Sequence, residues 1–288
     1  MSPILSAIFS NLSYAIGDNC NGWLSKKNSP LKIAFWATVF GIVIFLIPAV
    51  IFFGDEFSKL TVSNTIQMLA INVLGNIGYL SFIYGMSRGR VTVTGVVGGS
   101  FPAVTTLVAL IFFGESISSF QGLAVALIIF GVILASMSGK LSEFSKQLKT
   151  SGTLFALGAF FFWGVYFALV RIPIEKVGYF LPQYTSSYIG TLMFALLAYK
   201  TKSFKEVSSK PNLAWLIALT ALMQVAGSIF FNYAISKGQT AIIAPIAGSS
   251  PAVFVFLAYF IFKEKLAVKQ WVGIALTLSG IITLSIIS

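Results

Sequence analysis

Apolar residues gather into ten long runs separated by short polar turns, at positions 4–23, 31–53, 65–86, 91–113, 120–138, 151–172, 182–199, 213–236, 240–262 and 270–287. Each run is about 18–24 residues, long enough to cross a hydrocarbon core of about 30 Å as a helix. A transmembrane barrel would need segments of about ten residues with alternating polarity, and these runs do not alternate. The pattern predicts an all-α integral membrane protein with ten transmembrane helices. The first run is not preceded by Lys or Arg and its second half is polar, so it reads as a helix rather than a signal peptide.

The chain also matches itself at one shift of 149 positions. Tyr84, Ser87 and Gly89 return as Tyr233, Ser236 and Gly238; Gly99, Ser100, Pro102, Ala103 and Val104 return as Gly248, Ser249, Pro251, Ala252 and Val253. The register continues ungapped through Glu115 and Glu264, Gln121 and Gln270, and Gly131 and Gly280. A composition bias cannot produce a single register. The chain therefore divides into two units, 1–139 and 150–288, joined by a short polar, basic linker at 139–150. Because each holds an odd number of helices, the second must be inverted relative to the first, the arrangement of many secondary transporters.

Composition agrees with a membrane solvent: 57% of residues are apolar and only 9% charged, against about 25% charged in soluble domains. The net charge of +11 would suggest nucleic acid if it were clustered, but it is spread over the turns. Alternate turns hold fifteen Lys and Arg (26, 27, 32, 88, 90, 140, 146, 149, 200, 202, 205, 210, 263, 265, 269), and the others hold four, Lys59, Arg171, Lys176 and Lys237. Basic loops stay on the cytoplasmic side, which places both termini outside, in a multi-pass protein of the cell (inner) membrane. Its expected partners are the lipid bilayer and a small-molecule substrate, with no nucleic acid and a monomer or homodimer. Histidine is absent and Cys20 has no partner for a disulfide. No metal site, cofactor or catalytic pair is therefore expected, and a membrane-embedded enzyme is disfavoured. A Gly-x-x-x-x-Gly-Lys-Ser/Thr nucleotide loop is also missing, which speaks against a pump.

Turns reading Tyr84-Gly85-Met86-Ser87-Arg88-Gly89 and Tyr233-Ala234-Ile235-Ser236-Lys237-Gly238 each precede a run with a central proline that closes on Gly114-Glu115 or Lys263-Glu264. With Trp163-Gly164-Val165-Tyr166 in the sixth run, these motifs resemble the EamA-type repeats of the drug/metabolite transporter superfamily over nearly the whole chain. The resemblance implies a ten-helix carrier with a central cavity built from helices one to four and six to nine, flanked by helices five and ten. It also implies cytoplasmic termini, opposite to the charge count.

Polar residues inside the runs mark the expected substrate path, since each is costly in lipid unless it faces protein or water. Asn11, Tyr14, Asp18 and Asn21 share one face of helix one; Asn72, Asn76 and Tyr79 share one of helix three, with Gly75 and Gly78 beside them; Tyr184, Ser187, Tyr188 and Thr191 line helix seven, and Gln224, Ser228 and Asn232 helix eight. Trp163 and Tyr166 either stack on a substrate ring or simply pack. Asp18 is the one acid inside a run, matched by Phe167 in the other unit. It reads as a proton or cation site, or as the partner of a substrate amine; the alternative is an interfacial charge bonded to Asn19 or Asn21. Pro102 and Pro251 each remove a backbone donor half-way along helices four and nine and, with Gly98, Gly99, Ser100 and Gly248, Ser249, Ser250, resemble interrupted helices that gate access; the alternative is a static kink that only shapes the bundle. Glu115 and Glu264 are expected to cap helix N-termini, and Arg171 to snorkel at the end of its span or bind an anion.

The sequence thus reads as a secondary transporter of a small polar or amphipathic organic metabolite, such as an amino acid, working by alternating access. An uncoupled facilitator or exchanger is the alternative, and a receptor the rival outside transport.

Overall fold

A computed structural model describes residues 1–89, 91–136, 151–253 and 267–287. The inter-unit linker, Glu264 and most of the second half of the ninth run lie outside the described residues. Within them the chain is helical: α1 (Pro3–Leu24), α2 (Pro30–Phe52), α3 (Gly54–Ser58), α4 (Val62–Arg88), α5 (Val91–Gly99), α6 (Pro102–Phe112) and α7 (Ser119–Ser136) in the first unit. The second holds α8 (Ser151–Leu169), α9 (Arg171–Val177), α10 (Leu181–Lys200), α11 (Phe204–Ser208), α12 (Ala214–Ile235), α13 (Thr240–Ala247) and α14 (Val268–Ile287). Five stretches, α2, α4, the α8–α9 stretch, α12 and α14, are both long and apolar enough to cross a membrane. Helices α1 and α10 have spanning length but carry more polar residues, and α7 and the segments at 97–112 and 240–253 are shorter.

Helix starts obey local chemistry. Ser2 caps α1, its hydroxyl accepting from the Leu5 N–H, and proline opens α1, α2, α6 and α10, where a missing N–H costs nothing. Thr61 and Asn64 form a reciprocal capping box at α4.

Among the described residues three of the runs are interrupted. The fourth and ninth break, as interrupted helices rather than bent ones. At the first break the chain tightens, with Ser100 N–H donating to Val97 O at 3.4 Å and Phe101 N–H to Gly98 O at 3.2 Å, before Pro102 restarts the helix. The second repeats it: α13 stops at Ala247, and Ser249 N–H donates to Ile246 O at 3.3 Å. Glycine pairs and serines are weak helix formers, and a proline three residues on supplies no donor and clashes with the preceding turn, so the two effects together end the helix instead of bending it. The sixth run is interrupted at Val170, ahead of Pro173, and its helix then continues as α9 to Val177.

Packing between the units is reciprocal. Helix α1 packs on α12 of the other unit and α8 packs on α4; α2 packs on α10, and α7 on α14. Tyr14 covers Gly227 while Trp163 covers Gly78, positions that the 149-residue shift exchanges. Gly41 meets Ser187 and Val225, and Gly190 meets Asn76 and Thr38, again exchanged pairs. These contacts are what an approximate two-fold axis between the halves produces. Away from the centre, Gly131 and Gly280 bring α7 and α14 into close backbone contact.

Candidate functional site

A cavity of about 140 Å³ lies where the two units meet. One water takes about 10–15 Å³ by this measure, so the space suits a small organic molecule. Its lining comes from α1, α2, α4, α5, α8, α10 and α12 and from both helix breaks. Among the described residues, Asp18 is the only charged side chain on it.

Asp18 neither bonds Asn19 nor Asn21. Its Oδ1 accepts from Gln224 Nε2 at 2.7 Å; Asn19 instead donates to Ala15 O, and Asn21 Oδ1 accepts from the Tyr79 hydroxyl at 3.2 Å. One turn below, the Tyr14 and Ser228 hydroxyls pair at 2.9 Å. Asn76 donates to Asn72 O and Ser186 O, and the Tyr166 hydroxyl donates to Gln183 Oε1 at 3.3 Å. Aromatic rings complete the enclosure: Trp163 sits 4.8 Å from Phe82 and 5.9 Å from Phe101, and Phe101 stacks on Phe167 at 4.7 Å.

The cavity gathers Tyr14, Asp18, Asn76, Tyr79, Trp163, Tyr166, Ser187, Gln224, Ser228 and Pro251 from the residues the sequence singles out. It does not gather Asn11, Asn21, Asn72, Asn232, Tyr184, Tyr188, Thr191 or Pro102. Asn11 donates to Ile246 O at 2.8 Å and Ser249 Oγ at 2.5 Å, binding helix α1 to the second break. Asn72 donates to Pro182 O and Thr185 Oγ1, and Asn232 to Tyr179 O at 3.0 Å. Tyr184 and Tyr188 pair their hydroxyls at 3.0 Å outside the lining, with Tyr188 45% exposed. Pro102 stands behind the first break, its ring against Gly248. Sequence reading misses Thr38, Gln183, Ser186, Phe82 and Phe101 as lining residues. The signal for helix seven lies one position earlier, in the spacing of Gln183, Ser186 and Ser187.

At the face opposite the basic turns, carboxylates join the units. Glu115 accepts from the Thr240 and Ala241 N–H groups at 2.9 and 2.7 Å, capping α13 of the other unit, and pairs with Arg171. Arg171 also donates to Glu175 Oε1 at 2.7 Å. Glu56 accepts from the Phe180 and Leu181 N–H groups at the start of α10, under Gly178, whose φ of 125° suits glycine. Burial holds the Glu56 carboxyl above its usual range, against the opposing pull of those N–H groups. Among the described residues no cluster of three or more His, Cys, Asp or Glu is placed to hold a metal.

Comparison with known proteins places this geometry. An S-adenosylmethionine uptake transporter of Rickettsia conorii is 22% identical over 251 residues, covering 78% of this chain and 83% of that protein. An uncharacterised protein of Methanocaldococcus jannaschii is 31% identical over 125 residues, 43% of this chain and 89% of its own length. A probable magnesium transporter of Arabidopsis thaliana is 29% identical over 97 residues, only 34% of this chain and 26% of that protein. One solved crystal structure superposes with a TM-score of 0.71 over 99% of this chain and 97% of the other at 14% identity, a likeness of fold. Residues 1–137 and residues 150–286 each match the EamA-like transporter family. With both halves matched, the chain is a multi-pass membrane protein that belongs to the EamA-like transporter family.

Proposed function

We propose that the chain is a secondary transporter that carries a small polar or amphipathic organic metabolite across the cell (inner) membrane by alternating access. The observation that supports this reading most is the cavity itself. Eight pairs of its lining positions are related by the repeat: Tyr14 with Trp163, Asp18 with Phe167, Ala37 with Ser186, Thr38 with Ser187, Gly75 with Gln224, Asn76 with Val225, Tyr79 with Ser228, and Phe101 with Ser250. A site built from equivalent positions of two inverted halves can open to either side by a rocking exchange of their conformations. The two breaks, each backed by a proline, are the gating elements in this reading.

Asp18 is the coupling residue we assign, because an ionisable group on a cavity wall can exchange a proton for a substrate. The named relatives carry different cargoes, S-adenosylmethionine in one and magnesium in another, so kinship does not select the substrate. The deciding experiment screens metabolite pools for ligands that stabilise the purified protein, then measures uptake of each hit into proteoliposomes. Binding without flux under any gradient would replace the transporter with a receptor. Flux that ignores a pH gradient would replace coupling with facilitation.

A further inference from the structure

The matched pairs around the cavity differ in a patterned way. Where α1 packs on α12, the wall presents Asp18, Gln224, Ser228 and the Tyr14 hydroxyl. The equivalent positions where α8 packs on α4 are Phe167, Gly75, Tyr79 and Trp163. A swap of bulk accompanies the swap of polarity: Gln224 covers Gly17 on the first wall, whereas Tyr166 covers Gly75 on the second. One half of a near-symmetric site has become a carboxylate in a hydrogen-bonded frame. Its counterpart has become a surface of rings.

The carboxylate's frame is incomplete. Gln224 must turn its amide N–H toward Asp18, since an ionised carboxylate only accepts, and that bond engages Oδ1. Among the described residues no Lys or Arg pairs with Asp18, the ion pairs being those of Arg171. A lone carboxylate in a largely apolar cavity attracts a positive charge strongly, because little water screens it. The facing rings favour the same sign, since an aromatic face is negative and binds cations. An anion would meet a carboxylate and, among the described residues, no basic side chain. A small metal ion would need several oxygen ligands, and here one carboxylate stands beside an amide that presents its N–H.

We propose that the ligand recognised in this cavity is an organic cation with a compact positively charged head, held by Asp18, and a flat apolar body, held by Trp163, Phe101 and Phe167. Binding stands independently of the transporter reading, and only the passage of the bound cation across the membrane rests on it. A zwitterion such as an amino acid would find hydroxyl and amide donors for its carboxylate but, among the described lining residues, no basic side chain to balance its charge.

The test uses the purified full-length protein and five probes of known charge: phenethylamine as cation, L-phenylalanine as zwitterion, 3-phenylpropionate as anion, 2-phenylethanol as neutral analogue, and magnesium chloride. Thermal unfolding is measured against the concentration of each. Phenethylamine is expected to raise the midpoint, while the other four leave it unchanged. Asp18→Asn should weaken phenethylamine by about tenfold or more, as expected when the partner of a desolvated charge is lost, and Asp18→Glu should restore part of the binding. If Asp18→Asn does not fold, the comparison of probes on the unaltered protein still decides. Equal or stronger stabilisation by any of the other four, or none by phenethylamine, overturns the proposal. Binding of phenethylamine without uptake into proteoliposomes would refute transport and leave the cation site standing. Flux of a non-cationic metabolite with no response to phenethylamine would do the reverse.

Discussion

Pro102 of the first unit lays its ring on Gly248 of the second, and the contact returns in reverse, with Pro251 on Gly99. Gly99 ends α5 and Gly248 caps α13, each just ahead of its own unit's break. The proline that restarts one helix is therefore wedged against the end of its counterpart, next to the cavity that Gly99 and Pro251 line. Any movement of one break must move the other, which gives the two halves a mechanical link at their centre.

Substitution at this contact should separate packing from gating. A β-carbon on Gly99 or Gly248 would overlap the opposing proline ring, so Gly99→Ala and Gly248→Ala are expected to destabilise by about 1–3 kcal/mol through overpacking. Pro102→Ala and Pro251→Ala remove the wedge and restore a backbone donor. They should fold normally but slow turnover by shifting the balance of inward- and outward-open forms. Thermal unfolding in detergent measures the first effect and initial uptake rates the second. Unchanged rates in both proline variants would make the breaks static.

Glu115 joins the units at the face opposite the basic turns, accepting two N–H groups of α13 and pairing with Arg171. Glu115→Ala leaves those donors and the guanidinium without their acceptor, at a cost of about 1–3 kcal/mol. Arg171→Gln removes only the partly exposed ion pair and should cost less. In a Cys20→Ala, Ser187→Cys background, a thiol reagent applied from that face should reach the cavity faster when Glu115→Ala is added. Equal access would mean that the carboxylate caps a helix without closing that side.

Much of this architecture is legible in the chain itself. The ungapped repeat predicts the pairing of halves, and the polar face of α1 predicts Tyr14 and Asp18 on the cavity. The asparagines mislead for a physical reason. Asn11 and Asn232 bond the carbonyls of Ile246, in the last turn of α13, and Tyr179, just ahead of α10, which helical bonding leaves available, while Asn72 bonds Pro182 O in the first turn of α10. Sequence shows that an amide is intramembrane but not whether a neighbouring backbone carbonyl will take its N–H. The face that sequence predicts for helix seven is one position out of phase: a shift from Tyr184 to Gln183 turns the face by about 100°, which moves Tyr188 outward and Ser186 inward. The packing of two runs against each other sets that phase.

Topology is tested by labelling. The fifteen-to-four distribution of basic residues predicts that a single cysteine at 201–212, in a Cys20→Ala background, is shielded from an impermeant thiol reagent in intact cells. One at residue 2 or 287 should be labelled. The opposite pattern would put the termini in the cytoplasm and give the basic turns another purpose.

Asp18→Asn keeps size and hydrogen bonding while removing the charge. If Asp18 couples proton movement to transport, net flux in this variant should lose its dependence on pH and on an imposed proton gradient, while exchange persists. Among the described residues, the titratable groups near it are the Tyr14 and Tyr79 hydroxyls and Cys20. Phenylalanine at either tyrosine should therefore leave the pH profile in place. A wild-type pH profile in Asp18→Asn would assign the coupling elsewhere.

In alternating access, one cavity formed by matched positions of two halves should face the two sides of the membrane in turn. Ser187→Cys in the Cys20→Ala background puts a thiol on that cavity with the least change of shape, since Ser187 lines it and is buried. In oriented proteoliposomes an impermeant thiol reagent should label this cysteine from either side, with no ion leak, and a transported ligand should slow labelling from both. Labelling from one side only, whatever the ligand or gradient, would contradict the account.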